Sequence, residues 1–168
     1  PEVISASSLV PRYNELFSYK VKNILAKRIY FVDPEFFNVF SFELLKGDPE
    51  SALDEPFSII ISANTAETYF GTEDPIGKEL KYNNSRMFTV TGVLKNIPRN
   101  SHFIMDIIAP FKTLKEIQNS DINSWNPRMF CYTYCLLQEG TDPEEFNKRL
   151  GLRENGRCRV GIKKRELA

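Results

Sequence analysis

The chain has 168 residues, 42% of them hydrophobic and 26% charged, and its 22 lysines and arginines balance 22 aspartates and glutamates. That is enough for one domain with a real core, or for two small lobes sharing one, while zero net charge excludes the basic footprint of a dedicated nucleic-acid binder. No run approaches the roughly 18 to 20 consecutive apolar residues of a membrane-spanning helix, and no charged start with an apolar centre marks a secretory signal, so the chain reads as a soluble piece, mature or cut from something longer.

In chain order, a first strand is expected at Val3 to Ser8, ended by the following proline, and a second strand-like piece at Phe17 to Val21 with a polar turn at Lys22-Asn23. Ile29 to Val32 is a β-rich run. Asp33 then suits an N-cap and Pro34 a first helical position, which predicts a short helix over Pro34 to Val39 that turns Phe36, Phe37 and Phe40 inward. Phe42 to Leu45 reads as a short strand, Lys46-Gly47-Asp48-Pro49 as a turn, and Glu50 to Leu53 as a single helical turn broken by Asp54-Glu55-Pro56.

The stretch from Ser58 to Lys95 organises the rest. Ser58 to Ser62 is a short β-branched run, too short to be a helix and bounded by turn formers, hence a buried strand. A helix follows, with Ser62 as N-cap, Ala66, Tyr69 and Phe70 at helical spacing, and Gly71 as its stop. Thr72 to Gly77 turns the chain through Pro75 and Gly77. Strands at Glu79 to Tyr82 and Met87 to Leu94 are joined at Asn83-Asn84-Ser85, which suits a tight hairpin.

Asn96 to His102 reads as a polar loop, Phe103 to Ala109 as a strand closed by Pro110, and Phe111 to Gln118 as an amphipathic helix. A polar loop from Asn119 to Arg128 carries the single tryptophan, Trp125. Met129 to Gln138 alternates tyrosine and cysteine as a strand should, and Asp142-Pro143 starts a helix to about Leu150. The tail from Gly151 holds six basic and two acidic residues and is expected as a final strand at Arg157 to Ile162 or a disordered basic end. Strands and helices alternate with no long repeat, and hairpins mix with βα units, which predicts an α+β domain: a mixed sheet carrying short helices.

Candidate chemistry is sparse. His102 is the only histidine, so a histidine-rich metal site is excluded, and no cysteine spacing matches a zinc ribbon or finger. Within a strand, Cys131 and Cys135 would lie about 13 Å apart, beyond a disulfide's span. Either could pair with Cys158, and all three read as structural thiols. No phosphate-binding glycine motif is present. The carboxylate pairs Asp54-Glu55 and Glu73-Asp74 sit in turns beside proline, where they read as solvated turn formers and not as a general acid and base converging from a cleft. No residue is therefore assigned as catalytic, cofactor-binding or metal-ligating, and no cofactor is expected. What stands out is charge asymmetry: Asp33 to Glu79 contains eleven acidic and two basic residues. That acidic face and the Trp125 loop are the candidate contact surfaces.

The run Ile61-Ser62, Ala66, Phe70-Gly71, Asp74-Pro75-Ile76-Gly77-Lys78 and Phe88-Thr89-Val90-Thr91-Gly92-Val93 resembles the signature of the MacB-like periplasmic core domain of FtsX-type ABC-transporter permeases. The resemblance extends to Val32-Asp33-Pro34-Glu35-Phe36-Phe37, Gly47-Asp48, Pro98, Asn100-Ser101-His102 and Tyr132-Thr133-Tyr134. It implies a core domain over 1–150, best matched over 29–150, with 151–168 as a basic strand or tail that departs from the family pattern. It also implies a porter-like lobe with a second small lobe, at the periplasmic face of the bacterial inner membrane.

On this resemblance the domain is no enzyme. ATP hydrolysis resides in a separate nucleotide-binding domain or subunit, and a second permease copy completes a dimer. The domain then transmits the motion to a periplasmic adaptor or cargo in efflux or in lipoprotein or peptide export. The alternative is a periplasmic ligand-binding or sensor domain without a transport role.

Overall fold

The computed structural model describes residues 2–97, 104–118 and 131–150, and the backbone of 158–163. Its first element is a long hairpin. β1 (Val3–Tyr19) and β2 (Lys22–Val32) pair antiparallel, from Leu9 opposite Val32 to Tyr19 opposite Lys22. The two short strands expected here are therefore one, and the turn falls at Lys20-Val21 and not at Lys22-Asn23, with Lys20 at φ 53. Pro11 does not end the strand because β1 has a single neighbour there. The pairing to β8 stops at Leu9 and that to β5 begins at Phe17, so a residue lacking an N–H is tolerated as it would be on an edge. Asn14, at φ 58, interrupts the extended backbone between these two neighbours, in a conformation asparagine accepts more readily than most residues.

The helix α1 covers only Phe36–Val39. It starts later than expected because Asp33 is used elsewhere: its carboxylate accepts from Ser7 Oγ at 2.8 Å and from the Ser8 amide at 2.6 Å, tying the end of β2 to β1. The next strand, β3 (Leu44–Lys46), also begins later than expected and pairs with β6. β4 (Ser58–Ser62) and α2 (Ala63–Phe70) fall where the apolar run and the capping residues put them. Ser62 Oγ accepts the Thr65 amide at 3.2 Å, and the Gly71 amide closes on the Glu67 carbonyl at 2.8 Å.

β5 (Glu79–Tyr82) and β6 (Arg86–Leu94) form the expected hairpin. Asn83 and Asn84 both take positive φ, 44 and 57, as the tight turns that match strand twist require. β7 (Ile107–Pro110) begins later than expected, with Met105 and Asp106 outside the strand. α3 (Phe111–Gln118), β8 (Cys131–Leu137), α4 (Pro143–Leu150) and β9 (Cys158–Lys163) complete the chain.

Among the described residues all nine strands join one mixed sheet in the order β2-β7-β4-β6-β5-β1-β8-β9, with β3 on β6. Because β1 also pairs with β2, the strands β1, β2, β7, β4, β6 and β5 close a hydrogen-bonded ring. The β2–β7, β4–β6 and β8–β9 pairs are parallel and the others antiparallel. This is the α+β mixed sheet with short helices that the sequence predicts.

The core follows from period-two alternation on strands buried on both faces, whose sequences read as continuous apolar runs. Ile29, Phe31, Ile59, Ile61, Ile107 and Ala109 point into one cluster with Phe17, Leu80, Phe88 and Val90, closed by Tyr69 and Phe70 of α2 and Leu114 of α3. Tyr30, Val32, Ile60 and Ile108 point the other way, against Phe36, Val39 and Phe40. A small third cluster of Cys135, Leu137 and Phe146 lies where β8 meets α4. It lies on the common sheet.

Candidate interaction surface

The motif Asp74 to Lys78 builds the turn that presents the acidic pair Glu73-Asp74. Asp74 Oδ1 accepts the Ile76 amide at 3.1 Å, Lys78 N bonds the Pro75 carbonyl at 3.1 Å, and Pro75 is buried. Gly77, at φ 76, donates its amide to Val90 at 2.8 Å, and the Val90 amide answers to Lys78 at 2.8 Å. The motif thus locks a turn onto β6.

Three lysines from separate parts of the chain meet the two carboxylates so displayed. Glu73 binds Lys78 Nζ at 2.6 Å and Lys20 Nζ at 3.6 Å, and Asp74 binds Lys46 Nζ at 3.1 Å. The hydrogen bond from Lys78, with Lys20 adding to it, holds the Glu73 carboxyl below the usual carboxylate range. The Ile76 amide, and then Lys46, do the same for Asp74. All three ion pairs are exposed or partly so, and each contributes little to stability. Their value is placement, because they bring the β1–β2 turn, β3 and the start of β5 to one spot.

Aromatic contacts support that spot from below. Tyr19 packs edge-on against Phe70 with ring centroids 4.6 Å apart, and Lys20 Nζ lies 5.0 Å from the centre of the Tyr19 ring. Lys22 Nζ donates to the carbonyls of Thr68 and Tyr69 at 3.2 and 3.1 Å, two of the acceptors that the end of α2 leaves without helical partners. Between Lys20 and Lys22 stands Val21, 95% exposed at the very tip. The tip is an exposed apolar point flanked by two lysines.

The rest of the acidic stretch is not one continuous face. Asp33 is half-buried between β1 and β2, and desolvation raises its carboxyl above the usual range against the pull of its hydrogen bonds. Glu43 pairs with Lys95 at 2.6 Å, and Asp48 caps its own turn through the Glu50 amide and Ser51 Oγ. Glu50, Asp54, Glu55, Glu67 and Glu79 are exposed and make no ion pair among the described residues.

A shallow open groove of about 230 Å³ runs between β2 and α2, lined by Leu25, Lys27, Asn64, Thr68 and Asp106 among others. Ligand pockets commonly run about 300 to 1,000 Å³ and enclose most of what they hold. Among the described residues no group of histidine, cysteine and carboxylate side chains is arranged to hold a metal ion. His102, Trp125 and the Asn119 to Arg128 loop lie outside the described residues.

Sequence reading found Glu73 and Asp74 but missed Lys20, Lys22 and Lys46. No local pattern could have revealed them, since each meets its partner only through strand register. No helix among the described residues is long and apolar enough to cross a membrane.

The sequence profile of the MacB-like periplasmic core domain matches residues 1–151. No curated protein matches the chain. Among solved structures, a domain assigned to a permease protein from Porphyromonas gingivalis superposes with a TM-score of 0.70 at 24% identity, covering 89% of this chain and 62% of that one. The periplasmic region of MacB from Actinobacillus actinomycetemcomitans gives 0.66 at 16% identity, over 89% of this chain and 64% of that one. The extracellular domain of the noncanonic ABC-type transporter YknZ from Gram-positive bacteria gives 0.57 at 19%, over 71% and 60%.

The chain thus spans a little under two thirds of each of these structures. With the profile covering nearly its whole length and the mixed sheet shared with these domains, the chain belongs to the family of MacB-like periplasmic core domains of ABC-transporter permeases.

Proposed function

We propose that this domain is a stiff extracytoplasmic arm of its permease. ATP hydrolysed in a separate nucleotide-binding domain or subunit moves the membrane helices. The domain then hands that motion to an adaptor or cargo outside the inner membrane, in efflux or in lipoprotein or peptide export. Two permease copies act together, and the domain's own task is contact, not catalysis.

The ring of β1, β2, β7, β4, β6 and β5 carries this reading. A ring leaves no free edge between its members along which they could slide apart. Core clusters on both strand faces add the close packing that transmits strain and does not absorb it. The lysine contacts then fix the hairpin tip to that body, so the tip with Val21 moves with the sheet.

A ligand-binding or sensor role would favour an enclosed pocket, whereas the groove beside α2 is open. The two roles also differ in the parent gene. A permease predicts a membrane-spanning helix just before this domain and several after it, whereas a sensor predicts a single flanking helix and a signalling module.

The direct test is Glu73→Lys combined with Asp74→Lys in the whole permease. Transport output should fall while the purified permease keeps its melting temperature. Unchanged output would remove this surface from the function.

A further inference from the structure

The β1–β2 turn breaks local rules that another hairpin of the same sheet keeps. Asn83 and Asn84 join β5 to β6 at positive φ, a conformation that asparagine accepts. Lysine does not favour it, yet Lys20 holds φ 53, at a cost of about 1–2 kcal/mol. Beside it Val21 is 95% exposed, so its apolar side chain adds nothing to the core, and a stiff β-branched residue suits a strand better than a turn. Residues kept against the needs of the fold mark a place with another use.

Topology sets that place at the far end of the domain. The Gln138 amide donates to the Glu2 carbonyl, Val3 lies opposite Leu137, and Leu136 lies opposite Lys163. Glu2 and Lys163, the outermost described residues, therefore share one end of the sheet. β1 leads away from it for 17 residues to Tyr19, which is about 50 Å of strand. On the permease reading, on which this inference rests, both connections to the membrane helices leave from the Val3 end and the tip points away from the membrane.

The charges at the tip define what it fits. Lys20 Nζ lies 3.6 Å from one oxygen of Glu73, whose other oxygen is already held by Lys78 at 2.6 Å. Lys22 Nζ donates to the neutral carbonyls of Thr68 and Tyr69 and meets no carboxylate among the described residues. Positive charge thus stands uncompensated beside the apolar point.

We propose that Val21 anchors a protein–protein contact, and that the partner is an extracytoplasmic protein offering a small apolar socket with aspartate or glutamate at its rim. Val21 fills the socket and buries there the side chain that the fold leaves in water. Lys20 and Lys22 face the rim carboxylates, which steers the approach and fixes the orientation. Lys22 is tied to the end of α2, and Lys20 lies over the Tyr19 ring at 5.0 Å, so the tip is presented already ordered and loses little freedom on binding.

The test is photo-cross-linking of the whole permease in living cells, with p-benzoylphenylalanine in place of Val21 and the product mapped by mass spectrometry. Expected is a link to an extracytoplasmic protein at an apolar position with carboxylate side chains beside it. The same probe at Ile4, exposed at the opposite end, should not give that product. With the captured protein purified, Val21→Asp should weaken its binding to the permease by at least about tenfold. Lys22→Gln keeps a donor for the α2 carbonyls and drops the charge, so it should weaken binding by about two- to fivefold, a difference that high salt removes. Both variants should keep the wild-type melting temperature.

A product only with lipid, a product at a surface without carboxylates, no protein product, or Val21→Asp binding as tightly as wild type overturns the proposal. ATP hydrolysis by the same purified sample separates this failure from that of the permease reading. Hydrolysis without a Val21 product removes the tip contact alone. A Val21 product from a protein without hydrolysis keeps the contact and removes the transport role.

Discussion

The backbones of Gly47 and Thr91 touch: a Cβ built on Gly47 would fall 2.4 Å from the Thr91 carbonyl oxygen. The contact exists because β6 bulges at Thr91, where Ile59 pairs with Val90 and Ile60 already with Gly92. Thr91 Oγ1 holds the bulge through its one proton, shared between the Ala52 carbonyl at 2.6 Å and the Ile59 carbonyl at 3.1 Å. Gly47 also sits at φ 89. Gly47→Ala should therefore destabilise the fold by about 2–4 kcal/mol, combining a disfavoured backbone with an overlap that backbone atoms cannot relieve.

Gly140 is the control, because at φ 84 it has nothing within 4 Å of an added Cβ. Gly140→Ala should cost only about 1–2 kcal/mol. Equal urea midpoints for the two variants would contradict the close contact.

Phe36 is the second test. It is fully buried, with ring centroids of Phe37, Phe40 and Phe42 at 5.2, 5.1 and 5.6 Å. α1 is a single turn and cannot persist on its own propensity, so this aromatic cluster must hold it. Phe36→Ala should cost ~3–5 kcal/mol and be read as a lower urea midpoint, whereas a loss below ~1 kcal/mol would mean that α1 is not anchored by its rings.

Stability should also depend on pH through groups of opposite sign. Hydrogen bonds from Lys78 to Glu73, from Ile76 to Asp74 and from Lys95 to Glu43 lower those carboxyls. Their contribution is present above the unfolded values and is lost as pH falls through the folded ones. Asp33 is raised from 3.8 by desolvation. The folded state therefore holds its proton to higher pH than the unfolded chain does, and stability declines as pH rises from 3.8 through the folded value. Asp33→Asn removes that declining component, so stability should climb more steeply with pH over the window just above 3.8. A slope that is unchanged or shallower in equilibrium unfolding would contradict the burial of an ionising Asp33.

Where each element is specified by its neighbours in sequence, it was legible there. β4, α2 and the β5–β6 hairpin are bounded by residues that act locally: Ser62 caps, Gly71 stops and Asn83-Asn84 turns. The turn motif at Asp74 to Lys78 was legible for the same reason. The β1–β2 hairpin was not, because Pro11 and the polar run Arg12 to Glu15 lie in the part of β1 that lacks a second neighbour and so shows no apolar alternation.

Asp33 has the residue type of a helix cap, and only the fold reveals that Ser7 and Ser8 have claimed its carboxylate. Glu73 and Asp74 could be picked out as an exposed acidic pair, but not as a meeting point for Lys20 and Lys46. That depends on how strands distant in sequence come to lie side by side.

The central claim is that the ring and its clamped tip move as one body when ATP turns over. Spin labels on non-canonical residues at Val21 and Lys95 of the whole permease, which leave the cysteines untouched, measure it by pulsed electron resonance. The Val21 to Lys95 distance within one copy should stay constant between the ATP-bound and nucleotide-free states, while the Val21 to Val21 distance between two copies changes. A distance within one copy that shifts as much as the one between copies, or a separation between copies blind to nucleotide, would contradict the account.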